Sequence, residues 1–122
     1  MAINVKINSI KVKKFDLSKR ILELIFSFSV GENENFEERI LEREMSLDIN
    51  TIKFVMDLIK DIGNLVRGGK SEAIISFSEN IKDKTVEGIR KITSKIDKMK
   101  KQKDSSEYMK LWYQINNASI KF

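Results

Sequence analysis

Apolar and polar residues alternate with a period of two over the N-terminal part of the chain, the pattern of strands half-buried in a sheet. Ile3, Val5 and Ile7 alternate with Asn4, Lys6 and Asn8; the phase then slips, and Ile10 and Val12 alternate with Lys11 and Lys13. A one-residue slip would turn side chains to the other face, so a strand over 2–14 is predicted with a bulge near Asn8-Ser9. Residues 20–30 form a clearer strand, with Leu22, Leu24, Phe26, Phe28 and Val30 on one face against Glu23, Ser27 and Ser29. Gly31-Glu32-Asn33-Glu34-Asn35 has the composition of a turn. Residues 37–48 alternate as well, with Leu41, Arg43, Met45 and Leu47 set against Glu42, Glu44, Ser46 and Asp48. A helix there would align only Phe36, Ile40 and Leu41, so the segment is predicted as a strand paired back on 20–30.

From residue 50 the period changes to that of a helix. Ile52, Val55, Met56, Ile59, Ile62 and Val66 recur at helical spacing over 50–67, with Asp48 or Asn50 available as N-cap and Gly68 as a left-handed stop. Phe54, Leu58 and Leu65 flank that stripe, which predicts cover on more than one side: the sheet, and either the C-terminal segment or a second subunit. Residues 71–78 return to strand, with Ala73, Ile75 and Phe77 on one face and Ile74 on the other. Val86, Ile89, Ile92, Ile96 and Met99 make the buried stripe of a long helix over 82–103. Asp104-Ser105-Ser106-Glu107 fits a capping box and starts a short helix through Tyr108, Leu111, Trp112 and Ile115. The rival for 105–115 is a strand hairpin turning at Asn116-Asn117. Ser119–Phe122 is expected to close the sheet. The fold class is therefore α+β, a single domain in two layers. A mainly antiparallel sheet of three N-terminal strands and one or two later ones carries two long helices and a short C-terminal helix on one face.

Charge changes the picture, because it is local. Residues 82–103 contain nine Lys/Arg and three Asp/Glu, a balance of +6 in a chain whose net charge is +5. A local positive field implies a polyanion, an acidic protein surface, or this chain's own Glu-rich segment. On a helical projection Lys84, Lys91, Lys95 and Lys98 cluster on one side, beside the apolar stripe, with Arg90 and Lys101 flanking them. Such a stripe can track phosphates, with binding that falls steeply in salt. Lysine dominates and Arg90 is its only arginine, so nucleic-acid contact would be mostly non-specific. No aromatic residue interleaves with these lysines in the sequence, which counts against single strands.

Composition narrows the chemistry. The chain has neither histidine nor cysteine, the residues behind most proton shuttles at neutral pH, most zinc sites and all thiol chemistry. No catalytic residue, cofactor or resident metal is expected. Seven carboxylates crowd into 32–48: Glu32, Glu34, Glu37, Glu38, Glu42, Glu44 and Asp48. As a strand, the segment would project Glu42, Glu44 and Asp48 from one face. A Mg²⁺-dependent nuclease is the remote reading of that cluster; a charged outer strand that resists aggregation is the common one. Gly63-Asn64-Leu65-Val66-Arg67-Gly68-Gly69-Lys70-Ser71 imitates a phosphate loop, but its spacing fails and a helix runs into a strand instead of the reverse. Trp112 and Tyr108 fall on the apolar side of their helix, which leaves Met109 and Tyr113 as outward-facing interface candidates.

The functional expectation is a small non-catalytic protein that occupies a macromolecular surface, as regulator or inhibitor of a partner. The Lys-, Ile-, Asn- and Glu-rich composition suits a phage or mobile element, and the lack of a signal peptide and cysteine a cytoplasmic setting. An acidic protein surface ranks slightly ahead of nucleic acid as the target; a membrane is not expected. The acidic segment and the basic helix could also meet across a homodimer.

Overall fold

The structure, a computed structural model, describes residues 2–33 and 35–122. Strands β1 (Ala2–Asp16), β2 (Ile21–Glu32) and β3 (Asn35–Ser46) are followed by helix α1 (Thr51–Arg67), strand β4 (Ile74–Phe77), helices α2 (Ile81–Lys100) and α3 (Ser105–Asn116), and strand β5 (Ser119–Lys121). The sheet runs β3-β2-β1-β4, and β5 also pairs with β1. The first three strands form an antiparallel meander, whereas β4 adds to Ala2–Val5 in parallel and β5 to Ser9–Lys11 antiparallel. The sheet is thus mixed and open, and the fold is α+β.

The bulge in β1 lies where the phase slip puts it, between Ile7 and Ser9. The same point hands the far edge of β1 from β4 to β5. A second irregularity, between Val12 and Lys14, is not visible as an early break in alternation. Together the two keep Ile3, Val5, Ile7, Ile10, Val12 and Phe15 buried on one face. They meet Leu22, Leu24, Phe26 and Phe28 of β2 and the buried stripes of the helices in one core. Full burial of each such side chain contributes roughly 1.5–3 kcal/mol.

Several boundaries differ from the sequence pattern. Gly31, Glu32 and Asn35 are paired strand residues and not turn residues; only Asn33 of the described residues turns, at φ 58°. Glu34 of the expected turn lies outside the described residues. Strand β3 stops at Ser46, so Asp48 sits in the following loop instead of projecting with Glu42 and Glu44. Asn50 is the N-cap of α1 and accepts from the Lys53 amide. Gly68 ends α1 with φ 57° and ψ −132°, positive in φ but not the left-handed helical pair expected. The second cover of α1 is α2, not the C-terminal segment, and Met56 and Leu65 remain half-exposed. Residues 105–116 are helix, and the Asn116-Asn117 hairpin does not form. Asp104 caps that helix by accepting from the amides of Ser106 and Glu107.

The helices lie on the core face, which leaves a polar outer face. There Ser27 and Ser29 of β2 are buried beneath longer neighbours. Asn8, the bulge residue, donates to Ser29 Oγ at 2.7 Å, and Ser27 donates to the Glu38 carboxylate. Among the described residues no helix is long and apolar enough to cross a membrane.

Candidate functional site

Helix α2 is amphipathic by construction. Ile81, Val86, Ile89, Ile92, Ile96 and Met99 are buried toward the sheet and the neighbouring helices. Thr85 joins them because its hydroxyl donates to the Ile81 carbonyl at 2.6 Å, which satisfies the one polar group buried there. Asp83 in the first turn and Lys98 and Lys100 in the last complement the helix dipole.

The lysines predicted to form a contact surface stand on the outward side of this helix. Lys84, Arg90, Lys91 and Lys98 are exposed and Lys95 is half-buried; Lys101, also exposed, follows the last helical turn as C-cap. Of these six cations, only Lys91 has an ion-pair partner among the described residues, Glu87 at 3.7 Å one turn earlier.

The acidic segment is not their counterweight. Four of its six described carboxylates pair with cations outside α2: Glu42 with Lys13 at 2.9 Å, Asp48 with Arg20 at 2.7 Å, Glu37 with Arg39 at 4.0 Å and Glu32 with Lys70 at 3.9 Å. The guanidinium of Arg20 holds the Asp48 carboxyl below its usual range, with a smaller contribution from Lys100. The pairing also raises Arg20, and the hydrogen bond to Glu42 raises Lys13. Glu42 and Glu44 do share the outer face of the sheet, and Glu44 stands directly opposite Glu23 of β2. No group of carboxylates placed to hold a metal occurs among the described residues.

One residue missed by the sequence pattern enters this surface. Phe122, just past β5, donates its amide to the Asn8 carbonyl at 2.9 Å, which carries the chain end of the sheet to α2. Its Cζ lies 3.0 Å from the position a Cβ would take on Gly88. Gly88 projects between the directions of Lys95 and the core, one turn after Lys84 and just before Lys91. Phe122, 43% exposed as a residue, is therefore seated by its ring tip on the lysine-bearing helix. The sequence does not single it out: a glycine inside a helix costs about 1 kcal/mol relative to alanine, but the helix-interior Gly63 has no neighbour closer than 3.5 Å to its Cβ position.

The two interface candidates of α3 are exposed, Met109 at 57% and Tyr113 at 66%, and Trp112 is half out of the core at 38%. Ile115 is buried, with Tyr108 and Leu111 packed at the edge of the core. The cluster covers α2 and β1 rather than the flank of α1, as sequence spacing alone would allow.

The concavities near these residues are shallow. One of about 440 Å³ runs beside α2 and is lined by Asp83, Val86, Glu87, Arg90 and Lys91, so two carboxylates offset its two cations. Another, of about 170 Å³, is lined by Lys13, Glu23, Leu24, Glu42, Arg43 and Glu44 on the sheet. The surface chemistry of α2 is that of a convex charged face. No protein-family model matches this chain, and no curated protein or solved structure shows a significant similarity to it.

Proposed function

We propose that this protein works by macromolecular contact, without a reaction of its own, and that its contact surface is the lysine side of α2 turned to a polyanionic partner. The observation that carries the reading is that the excess charge of α2 is unspent. Five of its six candidate cations have no ion-pair partner among the described residues, and four carboxylates of the acidic segment pair with cations outside α2. A rigid helix bearing uncompensated lysines creates a directional positive potential.

Sequence considerations rank an acidic protein surface ahead of nucleic acid. An aromatic such as Phe122 beside Gly88 can anchor a protein interface, but next to a stripe of lysines it is also what a single-stranded nucleic acid uses, phosphates on the cations and a base on the ring, and this pairing of features favours the opposite order. A regulator or inhibitor that acts by covering a nucleic-acid or nucleic-acid-like surface is consistent with both features.

The test is charge reversal. Lys91→Glu, Lys95→Glu and Lys98→Glu together should abolish polyanion binding in fluorescence anisotropy at low salt while the circular dichroism spectrum stays native. Unchanged affinity in this triple variant would remove α2 as the contact surface.

A further inference from the structure

We infer that the α2 face binds single-stranded nucleic acid, with Phe122 as a stacking platform for a base and Lys84, Lys91, Lys95 and Lys98 as the track for its phosphates. The inference rests on the α2 face being the contact surface and adds to it the class of ligand.

Three features converge. First, glycine at position 88 lets the ring close onto the helix. A Cβ there would lie 2.9 Å from Ile10 Cδ1 and 3.0 Å from Phe122 Cζ, so any larger residue would make these side-chain ends shift. Second, the residue is held by its backbone and by its ring tip, Cζ, against Gly88, and is not enclosed. The Phe122 amide is bonded to Asn8, and Ile120 of β5 packs against the core. Nearly half of the residue nonetheless remains accessible. Because Gly88 lies on α2 between Lys84 and Lys91, the ring is seated on the lysine-bearing side of the helix, where a base stacked on it would have its phosphates within reach of those cations. Third, the spacing suits a strand of sugar-phosphates. Lys84 lies one helical turn before Gly88, Lys91 about one turn after it, and Lys95 and Lys98 two to three turns after. Helical rise is 1.5 Å per residue, so the stripe from Lys84 to Lys98 extends over about 21 Å, room for roughly three or four extended nucleotides. A duplex would keep its bases stacked inside and could not use the ring. Lysines supply charge without a bidentate fork, so recognition is insensitive to sequence.

The experiment compares four labelled or competing probes by fluorescence anisotropy over a range of salt. They are a short deoxythymidine oligomer, an abasic sugar-phosphate oligomer of the same length, a duplex, and polyglutamate. The wild-type protein should prefer the deoxythymidine oligomer to the abasic one. Phe122→Leu, which keeps apolar cover over Gly88 but removes the π-face, should weaken the deoxythymidine complex about 5- to 100-fold. It should leave the abasic complex and the salt dependence unchanged, and Phe122→Tyr should behave as wild type. Phe122→Ala serves as a second variant, with its urea midpoint measured alongside.

Equal affinity for the base-bearing and abasic oligomers overturns the inference, as does a Phe122→Leu variant that weakens both alike or neither. Binding of polyglutamate with none of the nucleic acids overturns it as well and leaves the polyanion reading standing. Should the Lys91, Lys95 and Lys98 reversals leave deoxythymidine binding intact, the contact-surface reading itself fails, and the inference with it.

Discussion

Phe36 of β3 lies across Gly31 of β2, its cross-strand partner, with ring carbons 2.5 Å from where a Cβ on residue 31 would stand. The exposed ring thereby covers backbone that glycine leaves bare, and Lys6 of β1 holds its ammonium 5.3 Å from the ring centroid. Glycine in a strand is otherwise a weakness, so the aromatic cover gives the sheet end a specific reason to keep it. Gly31→Ala is expected to destabilise by about 1–2 kcal/mol through overpacking. In a Phe36→Ala background the same change should cost almost nothing or stabilise. A double-mutant cycle by urea unfolding reads the coupling, and additive effects would mean that the ring simply swings away.

Arg20 reaches Asp48 through both Nε and Nη2, at 3.0 and 2.7 Å, and so joins the β1–β2 turn to the loop before α1. The Asp48 carboxyl is lowered in the folded state by this hydrogen bond. Its contribution is therefore present above the ordinary carboxylate range and is lost as pH falls through the lowered folded value. Asp16, lowered by Ser18 and the Lys19 amide, has the same sign. Asp48→Asn should lower the urea midpoint at neutral pH, with the difference from wild type vanishing in strong acid. A difference independent of pH would assign the effect to packing of the loop. Both groups are exposed, so the effect is small.

Asp104 caps the N-terminus of α3, and α3 leads directly into β5 and Phe122. Asp104→Ala is expected to cost about 1 kcal/mol. Because Asn116 of α3 accepts from the Phe15 amide at 3.2 Å, fraying should reach β1. Hydrogen exchange would show it as faster exchange in 105–122, with the β2–β3 hairpin unaffected. Uniform acceleration across the molecule would indicate a single cooperative unit.

Strand β3 forms the outer edge of the sheet, with Ile40 64% exposed among charged neighbours. An exposed edge of this length templates pairing with another chain unless charge discourages it. Replacing Glu38 and Glu42 by Thr should promote concentration-dependent association, visible in light scattering as growth above 14.2 kDa. If the double variant scatters like wild type, the glutamates are not edge guards, and the carboxylate cluster of β3 needs another explanation.

How much of this was legible beforehand varies by element. The strand of Leu22 to Phe28 and the helix of Val86 to Met99 were readable because burial on one face imposes a period on the sequence. The bulge at Asn8 was readable for the same reason, since a phase slip must be absorbed somewhere. The second irregularity, between Val12 and Lys14, was not, because the adjacent polar pair Lys13-Lys14 hides the slip. The hairpin ends were misjudged because turn-forming residues such as Gly31 and Asn35 pair when their neighbours supply the cover.

For the candidate site the division is sharper. Sequence alone determined that positive charge concentrates on one side of one helix, since helical geometry fixes which residues share a side. Only the tertiary structure decided that Glu42, Asp48, Glu37 and Glu32 pair with Lys13, Arg20, Arg39 and Lys70 and not with the six candidate cations of α2. It alone also brought Phe122 to Gly88, 34 positions away in the chain. Periodicity reports what a segment presents, whereas the partner that meets it depends on how strands order in the sheet, and no local pattern encodes that order.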